Sequence, residues 1–114
     1  MATHIDLTRS DGQPVCRARV AKSFAARLRG LMGVADLPAG QGVLFPRTSS
    51  VHTHFMRFPI DVVFLDGERR IVAVRRALKP WRFAAAKAAR SVLELPAGEC
   101  ERLGLAEGDA LVES

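Results

Sequence analysis

Residues 51–66 read VHTHFMRFPIDVVFLD, an almost unbroken apolar run that carries two histidines, a methionine, a proline and an aspartate. β-Branched and aromatic residues at this density predict strands, and a run with few polar interruptions predicts strands buried on both faces. We read Val51 to Arg57 and Ile60 to Leu65 as two strands broken at Phe58-Pro59, because proline lacks the ladder donor and marks a bend, bulge or edge. Asp66-Gly67 is a turn signal, so Arg70 to Leu78 is expected to pair back as the second arm of a hairpin.

Working outward, His4 to Thr8 and Val15 to Val20 flank Ser10-Asp11-Gly12 and predict an N-terminal hairpin. Ser23 is placed to cap a helix over 24–32, where Phe24, Leu28, Leu31 and Met32 recur at helical spacing. Gly30 weakens that helix by roughly 1 kcal/mol relative to alanine, and Gly33 ends it. Residues 34–42 form a loop, Gly42 to Pro46 a short buried strand, and Thr48-Ser49-Ser50 a turn. Lys79 to Arg90 reads equally as helix, from its alanines, or as surface loop. Ser91 to Leu95 is a strand, Gly98 to Leu103 one or two helical turns ended by Gly104, and Ala110 to Glu113 a last strand. About seven or eight short strands and one principal helix near residues 24–32 give a β-rich α+β fold. We expect a small, mainly antiparallel sheet or partly closed barrel, forming a single domain over residues 1–114.

The 114 residues are 48% hydrophobic and suffice for one core without disulfides or metal. No stretch of about 20 apolar residues could span a bilayer, so no membrane insertion is expected. The start, MATHIDLTRSDGQP, lacks the basic and apolar regions of a secretory signal, which predicts a cytoplasmic protein. Cys16 and Cys100 form no Cys-x-x-Cys pair and are expected to be reduced packing residues. The net charge is +5 and arginine-rich, with pairs at Arg69-Arg70 and Arg75-Arg76. That charge admits a basic nucleic-acid accessory role as a further alternative. Tyrosine is absent and Trp81 is the only tryptophan, so stacking aromatics are scarce and nucleic acid is disfavoured.

Several spaced blocks are similar to a known family. They run Arg29-Gly30-Leu31-Met32-Gly33, then Gly42-Val43-Leu44-Phe45, then His52-Thr53-x-Phe55-Met56-Arg57-x-Pro59-Ile60-Asp61-Val62-Val63-Phe64-Leu65-Asp66. Val92-Leu93-Glu94-Leu95-Pro96-Ala97-Gly98 and Gly108-Asp109 complete the set. The chain resembles, over residues 27–112, the prokaryotic family called domain of unknown function 192. The resemblance implies a compact, mainly antiparallel fold and carries over no activity. Relatives often have an aromatic residue where His54 stands, so a role for His54 would be particular to this subgroup.

The candidate site is a polar set threaded through apolar strands. On a continuous strand His52 and His54 share a face with Met56 and Phe58, opposite Val51, Thr53 and Phe55. Two such imidazoles begin a metal site that Asp61 and Glu94, or His4, would have to complete. Asp61 lies between Ile60 and Val62, where an unpaired charge is costly. It is expected either to accept backbone N–H groups at the Pro59 bend or to pair with Arg29 or Arg57, unless it serves as a base in an apolar pocket. Glu94 is expected to share a face with Val92 and to meet an arginine of the 27–33 segment. No Gly-x-Ser-x-Gly elbow or phosphate-binding glycine loop is present, and no catalytic or metal-ligating residue is assigned.

We therefore expect a binding module for a small ligand or a protein partner, non-enzymatic and without a cofactor. Its pocket would be lined by His52, His54, Met56, Asp61 and Glu94, with Arg29 or Arg57 nearby. The alternative is a hydrolase using a divalent metal and His, Asp or Glu.

Overall fold

The computed structural model describes residues 3–22, 37–54 and 56–114. The helix expected over 24–32, with Arg29, lies outside them, as does Phe55. The strands are β1 (Thr3–Arg9), β2 (Pro14–Val20), β3 (Gln41–Pro46), β4 (Ser50–His52), β5 (Ile60–Leu65), β6 (Ile71–Leu78), β7 (Phe83–Ala85), β8 (Ser91–Pro96) and β9 (Leu111–Glu113). One helix, α1 (Glu99–Leu103), is described. Seven strands form one sheet in the order β6-β5-β8-β3-β2-β1-β9, while β4 and β7 form a separate pair. Among the described residues every strand pairing is antiparallel except β2 with β3, so the large sheet is mixed.

The large sheet curls until its two outer strands meet. An antiparallel bridge joins Arg70 to Ala110, just ahead of β6 and β9, and Ile71 N–H donates to the Asp109 carbonyl at 2.8 Å. Residues from all seven strands fill the interior, among them Leu7, Val15, Leu44, Val63, Ile71, Leu93 and Leu111. Cys100, Leu103 and Leu105 join this core from α1 and the turn after it. The opposite face of β3, β5 and β8 carries a second cluster, with Val43, Phe45, Val62, Phe64 and Val92. Ala84, Met56 and Val51 pack there, which seats the β4–β7 pair on the outside of the barrel wall. Every residue of β5 is buried because both of its faces meet a core. Each of its large apolar side chains contributes about 1.5–3 kcal/mol through burial.

Two expectations need correction. The strand over Val51 to Arg57 stops at His52, because the backbone of Thr53 turns to bond the 79–82 segment. The Lys79–Arg90 segment is not helical; Phe83 to Ala85 pairs with β4, register His52 with Phe83. The sheet is mainly antiparallel, as expected, and β2 and β3 add one pair that runs in the same direction.

Candidate functional site

The sequence-derived site residues divide between the two sides of the barrel wall. Asp61 stands opposite Leu95 and Val62 opposite Glu94, and residues directly paired in a sheet project to one face. Leu95 belongs to the interior and Val62 to the outer cluster, so Asp61 points inward and Glu94 outward. The expected common pocket for the two carboxylates is therefore not formed. A wall of β-sheet separates them.

Asp61 is fully buried and its carboxylate is committed to backbone groups. Oδ1 accepts the Ala77 N–H at 2.8 Å; Oδ2 accepts Gly98 N–H at 3.1 Å and Cys100 N–H at 2.9 Å. The geometry explains why a carboxylate is needed here. Ile60 pairs with Leu78 and Val62 with Arg75, so Asp61 faces two residues of β6, Arg76 and Ala77. That is a β-bulge, and Ala77 within it has φ 51°. The N–H turned out of the ladder is taken up by Asp61. The same carboxylate caps α1, whose N-cap residue Gly98 has no side chain to do so. Asp61 thus accepts backbone N–H groups as expected, but at the bulge and helix start instead of the Pro59 bend.

Glu94 is also buried, flanked in register by Val43 and Val62, with Arg19 beyond Val43 and Arg75 beyond Val62. Burial pushes its carboxyl up to about 8, against the opposing pull of Arg19. Cys16 and Cys100 are free and buried, and burial raises both thiols to about 12, as befits packing residues.

His52 and His54 do come together. Their rings stack with centroids 4.8 Å apart and planes inclined by 29°, and His54 lies 5.3 Å from the Trp81 ring at 48°. Met56, expected on the same face, is instead buried in the outer cluster, and Arg57 is exposed. Trp81 and Phe83 are 57% and 68% exposed. With the two imidazoles they form a ring-bearing platform on the β4–β7 pair and the turn that leads from β6 into β7.

Thr53, absent from the sequence-derived set, builds this platform. It is completely buried between the two outward histidines. Its hydroxyl donates to the Lys79 carbonyl at 2.6 Å and accepts the Arg82 N–H at 2.8 Å. The hydroxyl thus stands between the first carbonyl and the fourth N–H of the Lys79-Pro80-Trp81-Arg82 turn, where a β-turn ordinarily places its own hydrogen bond. Thr53 N–H donates to the Arg82 carbonyl at 2.8 Å, and the Trp81 N–H to the Thr53 carbonyl at 3.1 Å. Trp81 is held at φ 64°, the left-handed region that a bulky residue enters only when its surroundings impose it. Pro80 in the second place was the readable signal, but glycine or asparagine is the usual occupant of the third, where Trp81 stands.

Among the described residues, no group of three or more His, Cys, Asp and Glu is placed to hold a metal ion. No described helix is long and apolar enough to cross a membrane. A separate surface hollow of about 630 Å³ lies between the β1–β2 hairpin and α1, lined by Thr8, Gln13, Arg17 and Arg102 among others. None of the described sequence-derived site residues lines it.

The architecture defines a small curled β-barrel carrying an external two-stranded flap. Two solved structures share it: a protein of unknown function from Novosphingobium aromaticivorans DSM 12444 and a putative transcription regulator from Sinorhizobium meliloti 1021. The first superposes with TM-score 0.84 at 24% identity, covering 97% of this chain and 84% of that one. The second gives TM-score 0.86 at 22% identity, covering 99% and 94%. At such identities the likeness is one of fold. The chain belongs to the domain of unknown function 192 family, Uncharacterized ACR, COG1430, which matches residues 6–112. A UPF0127 protein of Pyrococcus furiosus is 44% identical over 101 residues, covering 82% of this chain and 83% of its own length. One from Thermococcus sibiricus is 35% identical over 100 residues, and the match takes in 83% of this chain but only 64% of that relative.

Proposed function

We propose that the protein is a non-enzymatic binding module whose contact surface is the His52, His54, Trp81 and Phe83 platform. The observation that carries this reading is a row of four rings, three exposed and that of His54 half-buried, built on a buried threonine. Large aromatic residues left in water on a well-packed domain mark contact sites more reliably than buried polar residues do. Thr53 adds rigidity, so that little order need be gained on binding. The partner presents a surface for the rings, no cofactor takes part, and the cytoplasm is the site of action. Asp61 serves the scaffold, so the hydrolase reading would have to take its general base from Glu94.

Trp81, the only tryptophan, reports on its own site. The protein would be titrated with nucleoside monophosphates, indole carboxylates and short acidic peptides while tryptophan emission and amide NMR shifts are followed. At least one compound should change the emission and move the amides of His52, His54 and Arg82, and Phe83→Ser should weaken it. Shifts confined to the β1–β2 hairpin and α1 would move the site to the separate hollow and overturn the proposal.

A further inference from the structure

The chain's charge is segregated along its sequence. Residues 37–60 and 69–93 contain ten Lys and Arg and not one Asp or Glu. The rest of the chain holds seven Lys and Arg with all twelve acids. A net charge of +5 therefore conceals a strongly basic portion and an acidic remainder. Both strands of the flap, the Thr53 corner and the Trp81 turn come from the acid-free stretches. Arg57, Lys79, Arg82 and Lys87 are exposed there.

We infer that this platform binds single-stranded nucleic acid, with bases stacking on the rings and phosphates drawn to the neighbouring cations. The inference rests on the reading of the platform as a contact surface and names its ligand. Flat rings with a cationic surround are the two components that single-strand binding combines. Unstacked bases are taken up by Phe, Trp and His alike. The scarcity of tryptophan and tyrosine counted against nucleic acid in the sequence, but the fold recruits two histidines and Phe83 to stand beside Trp81. An acidic polypeptide would satisfy the cations and leave the row of rings without flat partners. A bilayer would take Trp81 and Phe83 but would have to dehydrate two imidazoles.

The test uses fluorescein-labelled oligothymidine and oligouridine of about 15 nucleotides, long enough to cover one such site. Fluorescence anisotropy of the label is followed as the full chain is added at low salt. The expected result is saturable binding that weakens tenfold or more between about 50 and 200 mM salt. Phe83→Ser and Trp81→Gly should each weaken it about tenfold at unchanged salt slope, since base stacking tolerates any base but needs the ring. The double variant K79Q/R82Q should flatten the salt slope, and a duplex of equal length should compete poorly. Binding indifferent to both ring substitutions would overturn the inference, as would none at low salt. Should an acidic peptide or an anionic vesicle quench Trp81 while the oligonucleotides do not, this inference falls and the contact-surface reading stands. Silence from every probe would overturn both.

Discussion

Asp61 and Thr53 are both fully buried polar residues that order chain segments distant in sequence, yet one serves the scaffold and the other a surface. Asp61 gives its two oxygens to three backbone N–H groups, and nothing around it is left for solvent or ligand. Thr53 uses one hydroxyl to close a turn whose exposed side carries Trp81 and lies beside His52 and His54. A buried polar group therefore locates function by what it holds in place, more than by its own chemistry.

The comparison breaks most directly at Asp61. Asp61→Asn turns one acceptor oxygen into a donor that must face a backbone N–H, and removes the charge behind all three bonds. A loss of about 3 kcal/mol or more is expected in urea unfolding, with the bulge and α1 loosened together. A variant of wild-type stability would restore Asp61 as a candidate for binding.

Thr53→Val keeps the shape and deletes the hydroxyl, stranding the Lys79 carbonyl and the Arg82 N–H. About 1–3 kcal/mol should be lost. More tellingly, Trp81 emission and the His54–Trp81 ring contact in NMR should change while the barrel amides hold their positions. Unaltered tryptophan spectra would show that the turn does not depend on the threonine.

Glu94 sharpens the contrast by its pH dependence. Its pKa is raised to about 8 in the folded protein from an ordinary value of 4.5, so the folded state holds the proton that the unfolded state releases. Its contribution is complete below about pH 4.5 and is lost as pH climbs through 8. Between about pH 6 and 7.5 stability should drop by roughly 1–2 kcal/mol, and Glu94→Gln should remove most of that slope. Thermal melts across this range decide it; an equal slope in the variant would assign the effect elsewhere.

The smallest effect belongs to the surface. Trp81→Gly relieves a left-handed conformation that glycine adopts freely, while giving up contact with His54. The two nearly cancel, leaving stability within about 1 kcal/mol of the parent. A large loss would make Trp81 a structural residue and weaken its claim to a ligand.

Most strands were legible because their residue types and punctuation are local. Val15 to Val20, Ile60 to Leu65 and Ser91 to Leu95 fall within one or two residues of the observed elements. The end of β4 was not legible, since Thr53 leaves the strand to meet carbonyls and amides about thirty residues onward. β7 was hidden in an alanine-rich run whose helical propensity is overridden by pairing with β4. The parallel contact of β2 with β3 is a tertiary pairing, which no periodicity reveals. For the site, the stacked histidines were foreseen as sharing a face, and Asp61 as a satisfied carboxylate. The polar convergence failed because the register sends Asp61 and Glu94 to opposite sides of one sheet.

The Lys79–Arg82 turn has a consequence for the order of folding. Its first carbonyl and fourth N–H are joined through a hydroxyl supplied 26 and 29 residues earlier in the chain. A nascent or partly unfolded chain therefore cannot shape this turn from its own neighbours. The ring platform would mature only once β4 and β7 have paired, making surface competence a signal that folding is finished.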